Sequence, residues 1–381
     1  MMLMFDVLLS IVIAFTITFL AIPVIINVAE MKKLFDVPDE RKVHRTPITP
    51  LGGLAIFGGF VFGCLLTVHF NQSGEFQYFI AAAMVIFFLG LKDDILVISP
   101  VKKFIGQVLA AFMIIYYGQI QIRSMHGFLG IDQLPEMFSL LLTYFAVIVI
   151  VNSFNLIDGI DGLAGSLGVM SLTMFGIFFL YVNIPSYSIL AFSLAGSLMA
   201  FLIFNFQPAK IFMGDTGSLL IGMVNAILVI KFINVANSPD VSYPIESAPA
   251  IGFAILMIPL LDTLRVFAIR IFHRRSPFSP DRNHIHHLLL DRGFSHRTIT
   301  FILLSINLAV VGLIYMGRSL GCTLLIFSVL VIFFSIIGVF YYMRTRSRLV
   351  VTKIVQESNG ELKASKLVPF TKDSSVLEQK N

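Results

Sequence analysis

Apolar positions fall in long blocks along this chain rather than in alternation. Eleven blocks stand out, at about 5–27, 51–70, 77–91, 104–121, 138–153, 165–182, 187–206, 217–234, 249–270, 298–316 and 320–343. A bilayer core needs about 20 residues of helix to cross it. The pattern therefore predicts an all-α polytopic membrane protein with about 11 transmembrane helices. Two divisions are thin: a polar Gly/Asp segment parts the fifth and sixth blocks, and only Gly317–Ser319 parts the last two. The first block lacks a basic leader and runs into Ala29-Glu30-Met31-Lys32-Lys33, so it reads as a span and not a cleaved signal. One integral membrane domain, 1–348, is expected, followed by a polar Ser/Lys/Glu-rich tail over 349–381. Within that tail, Leu349-Val-Val-Thr-Lys-Ile-Val355 could pair as a strand.

Basic residues orient the spans. Lys32, Lys33, Arg41, Lys42 and Arg45 follow the first block, Lys92, Lys102 and Lys103 the third, and Lys210 the seventh. Arg274, Arg275, Arg282, Arg292 and Arg297 follow the ninth, whereas the opposite loops hold Arg123 and Arg318 and little else. This alternation predicts an outside N-terminus and a cytoplasmic C-terminus in a plasma (inner) membrane.

Composition agrees with that solvent. Hydrophobic residues make up 57% and charged residues 13%, against roughly 45–50% and about 25% in soluble domains. The net charge of +5 sits beside spans, where anionic lipid headgroups explain it better than nucleic acid does. Cys64 and Cys322 lie inside apolar blocks, which argues against a disulfide or a metal site built on them.

Charge near a bilayer is costly and usually functional. Asp93, Asp94, Asp158, Asp161, Asp215, Asp262 and Asp281 all gather on the predicted cytoplasmic side, opposite short and chemically plain external loops. An active site would therefore open to the cytoplasm.

Five stretches carry candidate chemistry. The adjacent Asp93-Asp94 repel unless a proton or cation intervenes, and a hard divalent ion shared with substrate phosphates is one remedy; a span simply leaving the membrane is the plainer alternative. Asn152, Asn155, Asp158 and Asp161 recur every three residues with Gly159, Gly162 and Gly165 among them, predicting a helix that unwinds into a polar turn. Phe212-Met-Gly-Asp215-Thr-Gly-Ser218 would leave a helix N-terminus open to phosphate, with Asp215 tolerated there if it holds a metal; Thr216 or Ser218 as an ordinary cap is the alternative. Arg282-Asn-His284-Ile-His286-His287 supplies donors for a diphosphate, or else a structural cluster; zinc is a third reading, without a His-Glu-x-x-His motif or a nearby cysteine to support it. Arg41–Gly53, which contains His44, is basic and proline-stiffened and faces either phosphate or the lipid surface.

Together these five stretches resemble, in order and in placement between spans, the polyprenyl-phosphate N-acetylhexosamine-1-phosphate transferases, glycosyltransferase family 4. The resemblance covers about 40–290 and is strongest to the undecaprenyl-phosphate N-acetylglucosamine-1-phosphate transferases. It implies a reaction in which UDP-N-acetylglucosamine and undecaprenyl phosphate give undecaprenyl-diphospho-N-acetylglucosamine and UMP, with Mg²⁺ required and Mn²⁺ as an alternative. By the same resemblance Asp93 and Asp94 are catalytic, with Asp93 deprotonating or orienting the lipid phosphate. Asp215, Asp94 and Asp158 would hold the metal. Asn152, Asn155, Asp158, Asp161 and Lys103, or Lys102 beside it, would bind substrate, as would His44, Arg282, His284, His286 and His287. Val97 stands where the family often has a further Asp, so a third ligand from that loop is missing. His-Ile-His-His differs from the triple-His form of the relatives that use a muramoyl-pentapeptide donor.

Other readings differ in kind. A secondary transporter would place polar groups near the midplane, whereas these line one face. A non-catalytic scaffold would not need the acidic set. The CDP-alcohol phosphotransferases use an Asp/Gly-rich motif with an Arg that this chain lacks. The Phe-rich spans leave a homodimer open, and another UDP-N-acetylhexosamine could replace the expected donor.

Overall fold

A computed structural model describes residues 2–34, 48–70, 73–238, 241, 244–274 and 283–342. The predicted tail, His44 and the rest of the basic part of the first loop, Asp281 and Arg282 lie outside the described residues. Thirteen α-helices are described: α1 Met2–Lys32, α2 Gly52–Thr67, α3 Phe76–Leu96, α4 Pro100–Phe112, α5 Glu136–Ile157, α6 Leu163–Tyr181, α7 Pro185–Asn205, α8 Gly214–Val235, α9 Ala248–Ile255, α10 Met257–Phe272, α11 Ile285–Leu290, α12 His296–Met316 and α13 Cys322–Tyr342.

Each predicted block falls on a helix or a helix pair. Among the described residues, seven helices are long and apolar enough to cross a membrane, with an eighth span if one bent pair is counted as one. The remainder are α2, which is 16 residues long, α3, which ends on the charged Lys92-Asp93-Asp94 turn, α4, which runs on as a π-helical turn over Met113–Tyr117, and the short α11. Large apolar side chains such as Phe62, Leu66, Phe88, Phe301 and Phe334 stand exposed on the outside of the bundle, the surface that lipid rather than water would solvate.

The core is organised around α8. Of its apolar window 83% is buried, against 22% in α1 and in α13. Helices α2, α3, α5 and α6 pack on it, so α8 is apolar on all sides. Its N-terminal end is laced to the segment before α2, where Gly52 N donates to Phe212 O at 2.9 Å and Gly53 N to Met213 O at 2.8 Å. Phe212 N returns a bond to Thr49 O at 2.9 Å. The Gly52-Gly53 pair, read in the sequence as the end of a basic loop, is thus a backbone seam.

One expectation needs correction. The ninth block is not one straight span: α9 and α10 meet at an 80° bend. Asn307 of α12 satisfies the backbone groups freed there, donating to Ala254 O at 3.2 Å and Ile255 O at 3.1 Å and accepting from Ile258 N at 3.2 Å. Such groups must find partners inside a bilayer, and a buried Asn supplies both kinds.

The fold is helical as expected, with one small addition. A small antiparallel hairpin, β1 Ser124–Phe128 with β2 Ile131–Gln133, lies between α4 and α5 on the side away from the carboxylates. Asn234 Nδ2 holds Gln121 O at 2.8 Å, and Leu129 N donates to Thr323 Oγ1 at 2.8 Å, fixing the hairpin to α8 and α13. Beside it opens a cavity of about 830 Å³ lined by Arg123, His126, Asp132, Lys231, Asn234 and Glu246, among others. That side of the protein is therefore not chemically plain.

Candidate active site

Four helix ends converge on one side of the bundle: the ends of α3 and α5 and the starts of α4 and α8. At the end of α3 the two aspartates face different partners. Asp93 accepts from Ile98 N at 2.6 Å, where the chain turns, and from Lys103 Nζ at 3.3 Å. Asp94 instead crosses to α8. Its Oδ1 accepts Asp215 N at 2.7 Å, and its Oδ2 accepts Thr216 N at 3.1 Å and Thr216 Oγ1 at 2.5 Å. The first N–H groups of a helix have no intrahelical acceptor, and no side chain of the α8 N-cap residue, Met213, supplies one. Asp94 does so from a distant helix. The approach needs Gly214, which has φ +67° and where a Cβ would stand 2.6 Å from both Asp94 carboxylate oxygens. The α8 N-terminus, expected to face phosphate or to be capped by Thr216 or Ser218, is occupied by this carboxylate.

Lys103, and not the exposed Lys102, enters the site. Its ammonium pairs with Asp215 Oδ2, with Asp93 Oδ2 at 3.3 Å and with Asn155 Oδ1 at 3.4 Å. Asn155 Nδ2 in turn donates to the other Asp215 oxygen at 2.7 Å and to Ser218 Oγ at 3.0 Å. One turn along both helices, Gln107 and Asn152 exchange side-chain amide bonds at 2.8 and 3.3 Å. Gln107 was not singled out in the sequence. Its place one helical turn after Lys103, on a face meeting the Asn152/Asn155 face of α5, was the available signal.

The predicted unwinding after Asn155 is present: α5 ends at Ile157, and Gly162 with φ +81° starts α6. Asp158 sits in the turn without a hydrogen bond among the described residues. Burial first, and then the Asp94 and Asp161 carboxylates, push its pKa up to about 7. Asp161 turns toward α12, where its carboxylate and its N–H each lie 3.3 Å from His296 Nδ1. Asn205, also missed in the sequence, ties this turn to the stretch before α8, accepting from Gly162 N and donating to Ile211 O, both at 2.8 Å.

The histidine segment joins from α10 and α11. His286 is 1% exposed and packs on Gly159, where any Cβ would overlap its ring. Both of its ring nitrogens lack a partner among the described residues. Burial, then the neighbouring His287 and His284, hold it well below the usual histidine range. His284 stacks on His286 with ring centroids 5.7 Å apart, and His287 follows at 4.3 Å. His284 Nδ1 lies 2.8 Å from Asp262 Oδ2, so this ring is tied to the protein through one nitrogen.

A hard cation can be tested against these donors. Among the described residues, no three His, Cys, Asp or Glu side chains form a ready cage. Three oxygens from Asp93, Asp215 and Asn155 do surround one cationic centre, the Lys103 ammonium. Mg²⁺ usually takes one or two carboxylates and completes its shell with water and substrate phosphates. The donor set fits that use. Of the three residues expected to hold the metal, Asp94 has both oxygens hydrogen-bonded to α8, whereas Asp215 and the neighbouring Asp93 share the Lys103 ammonium.

Comparison with known proteins follows the same lines. Residues 76–233, from α3 into α8, match the family model described as glycosyl transferase family 4. The chain is 31% identical to a probable undecaprenyl-phosphate N-acetylglucosaminyl 1-phosphate transferase of Bacillus subtilis, over 97% of this chain and 98% of that protein. It is 32% identical to an undecaprenyl-phosphate alpha-N-acetylglucosaminyl 1-phosphate transferase of Yersinia pestis, over 74% and 76% of the two chains. It is 34% identical to a decaprenyl-phosphate N-acetylglucosaminephosphotransferase of Mycobacterium tuberculosis, over 70% and 71%.

Proposed function

The chain belongs to glycosyl transferase family 4, and from that membership we propose that it moves N-acetylglucosamine 1-phosphate from UDP-N-acetylglucosamine onto undecaprenyl phosphate. The products are undecaprenyl-diphospho-N-acetylglucosamine and UMP, the first lipid-linked step of a cell-envelope polysaccharide. The observation that carries the reading is the meeting of Asp93, Lys103, Asn155 and Asp215 from four separate helices at one boundary of an apolar bundle. A polyprenyl tail can stay in lipid at such a boundary while its phosphate meets a nucleotide from water.

Transfer between two polyanions needs charge neutralisation and alignment more than covalent help from the protein. Lys103 supplies a fixed positive charge between the carboxylates. Asp93 is the acidic group best placed to orient the lipid phosphate and take its proton, since Asp94 is bound to α8. Asp215 and Asp93, with Asp158 nearby, are the residues to hold Mg²⁺ or Mn²⁺, which when bound would neutralise charge on the diphosphate. Asn152, Asn155 and Asp161 shape the nucleotide side of the same turn, and His284, His286 and His287 approach it from α11.

On this reading the carboxylate side faces the cytoplasm, the hairpin side faces out, and the shorter apolar helices complete eleven spans in a plasma membrane. Radiolabelled UDP-N-acetylglucosamine and undecaprenyl phosphate, incubated with the purified chain in detergent, should give a butanol-extractable product that EDTA abolishes and Mg²⁺ restores. Absence of lipid product over a panel of UDP-N-acetylhexosamines would overturn the proposal.

A further inference from the structure

Outside the family-matched segment lies a buried ionic network that holds the histidine segment and whose carboxylate, Asp262, has been given no role so far. Asp262, on α10, is fully buried. Its Oδ1 accepts from Arg265 at 2.8 Å and from Ile285 N at 3.0 Å, and its Oδ2 faces His284 Nδ1 at 2.8 Å. Arg265 also donates to Asn283 O and, at 3.4 Å, to Tyr341 Oη of α13. Every donor to this carboxylate except Arg265 belongs to the histidine segment, and Arg265 itself grips that segment through Asn283.

A buried carboxylate is costly unless it is fully paired, and a paired one fixes its partners in place. A carboxylate can only accept, so the His284 nitrogen facing it is the protonated one. That sets the tautomer of the ring and leaves Nε2 as its remaining polar atom. His284 stacks on His286, and His286 rests on Gly159 beside Asp158. The pose of His284 therefore propagates to the turn that carries Asp158.

We infer that Asp262 is a positioning residue, holding His284 in one tautomer and orientation so that the histidine segment presents fixed donors to the sugar-nucleotide diphosphate. The inference rests on the proposed transferase reading for its substrate, but the Asp262–His284 link itself does not. Carboxylates of this kind orient imidazoles in many sites, and losing one typically lowers function roughly 10- to 100-fold.

The test is a double-mutant cycle on the full chain in detergent, with Asp262→Asn, His284→Ala and the double variant. Turnover and the KM for UDP-N-acetylglucosamine are measured on monodisperse protein, alongside ¹⁵N-histidine NMR spectra. Asp262→Asn should lower kcat roughly 10- to 100-fold, and the double variant should be no slower than His284→Ala alone. The ¹⁵N signals missing from His284→Ala should change from the Nδ1–H form when Asp262 is replaced. Asp262→Glu should recover part of the lost turnover, and it carries the same test if Asp262→Asn does not fold. A merely structural Asp262 would lower thermal stability while its effect multiplied with that of His284→Ala, and that result, or an unchanged His284 signal, would overturn the inference. If the wild-type chain forms no lipid product, the transferase reading fails, and the ¹⁵N spectra alone decide the Asp262–His284 link.

Discussion

Asp94 caps the helix that carries Asp215: its Oδ1 accepts Asp215 N at 2.7 Å, across 121 residues of sequence. Two aspartates that look like equivalent metal ligands in the sequence therefore stand in sequential roles, one placing the other. Each oxygen of Asp94 has a donor on α8, while Asp93 is left facing Lys103.

Replacing the two neighbours should separate these roles. Asp94→Ala removes a cap, which typically costs about 1–2 kcal/mol, so its thermal midpoint in detergent should fall together with its activity. Asp93→Asn should keep the wild-type midpoint and lose at least about 100-fold in turnover. Equal stability in both variants would argue against the cap.

Lys103 lies among oxygens from Asp93, Asn155 and Asp215. Lys103→Gln removes one positive charge next to the proposed cation site, so Mn²⁺ should bind more tightly while turnover falls about 100-fold or more. Weaker Mn²⁺ binding in this variant would mean that the lysine and the metal do not share the carboxylates.

Gly159 leaves room for the His286 ring. Gly159→Ala should push the histidine segment off the Asp158 turn and reduce transfer about 10-fold or more, with little change in the thermal midpoint because the turn lies at the edge of the bundle. Transfer at wild-type rate would show that the contact does not matter to the site.

Asn307 satisfies three backbone groups at the α9–α10 bend. Asn307→Leu keeps the branched shape and leaves those groups without partners, so stability should fall by roughly 2–4 kcal/mol, read as a lower midpoint in detergent. A variant as stable as wild type would mean that the bend is held by packing alone.

Much of this was legible in the sequence. Block hydropathy located every long helix, because a bilayer leaves a composition signal that tertiary packing cannot erase. Asp93, Asn155 and Asp215 could be picked out because charge and amide at span ends are rare. What escaped was pairing across the chain. Gln107 looks like an ordinary polar residue until α4 meets α5, and Asn205 and Asn307 act through backbone groups that exist only once the turn and the bend have formed. Asp262 was visible as a charge inside an apolar block, but its partner lies 22 residues away on another element. The 80° bend was hidden because α9 and α10 are both apolar, and hydropathy does not report direction.

Manganese binding tests the carboxylate cluster most directly, because it reads the proposed cation site without depending on turnover. Electron paramagnetic resonance titration of the purified wild-type chain, with UMP or UDP-N-acetylglucosamine present, should show one tightly held ion that Mg²⁺ displaces. Asp215→Asn should weaken that binding by about 10-fold or more while the protein stays folded and monodisperse. Unchanged affinity in Asp215→Asn would contradict a divalent-ion site built on Asp93 and Asp215.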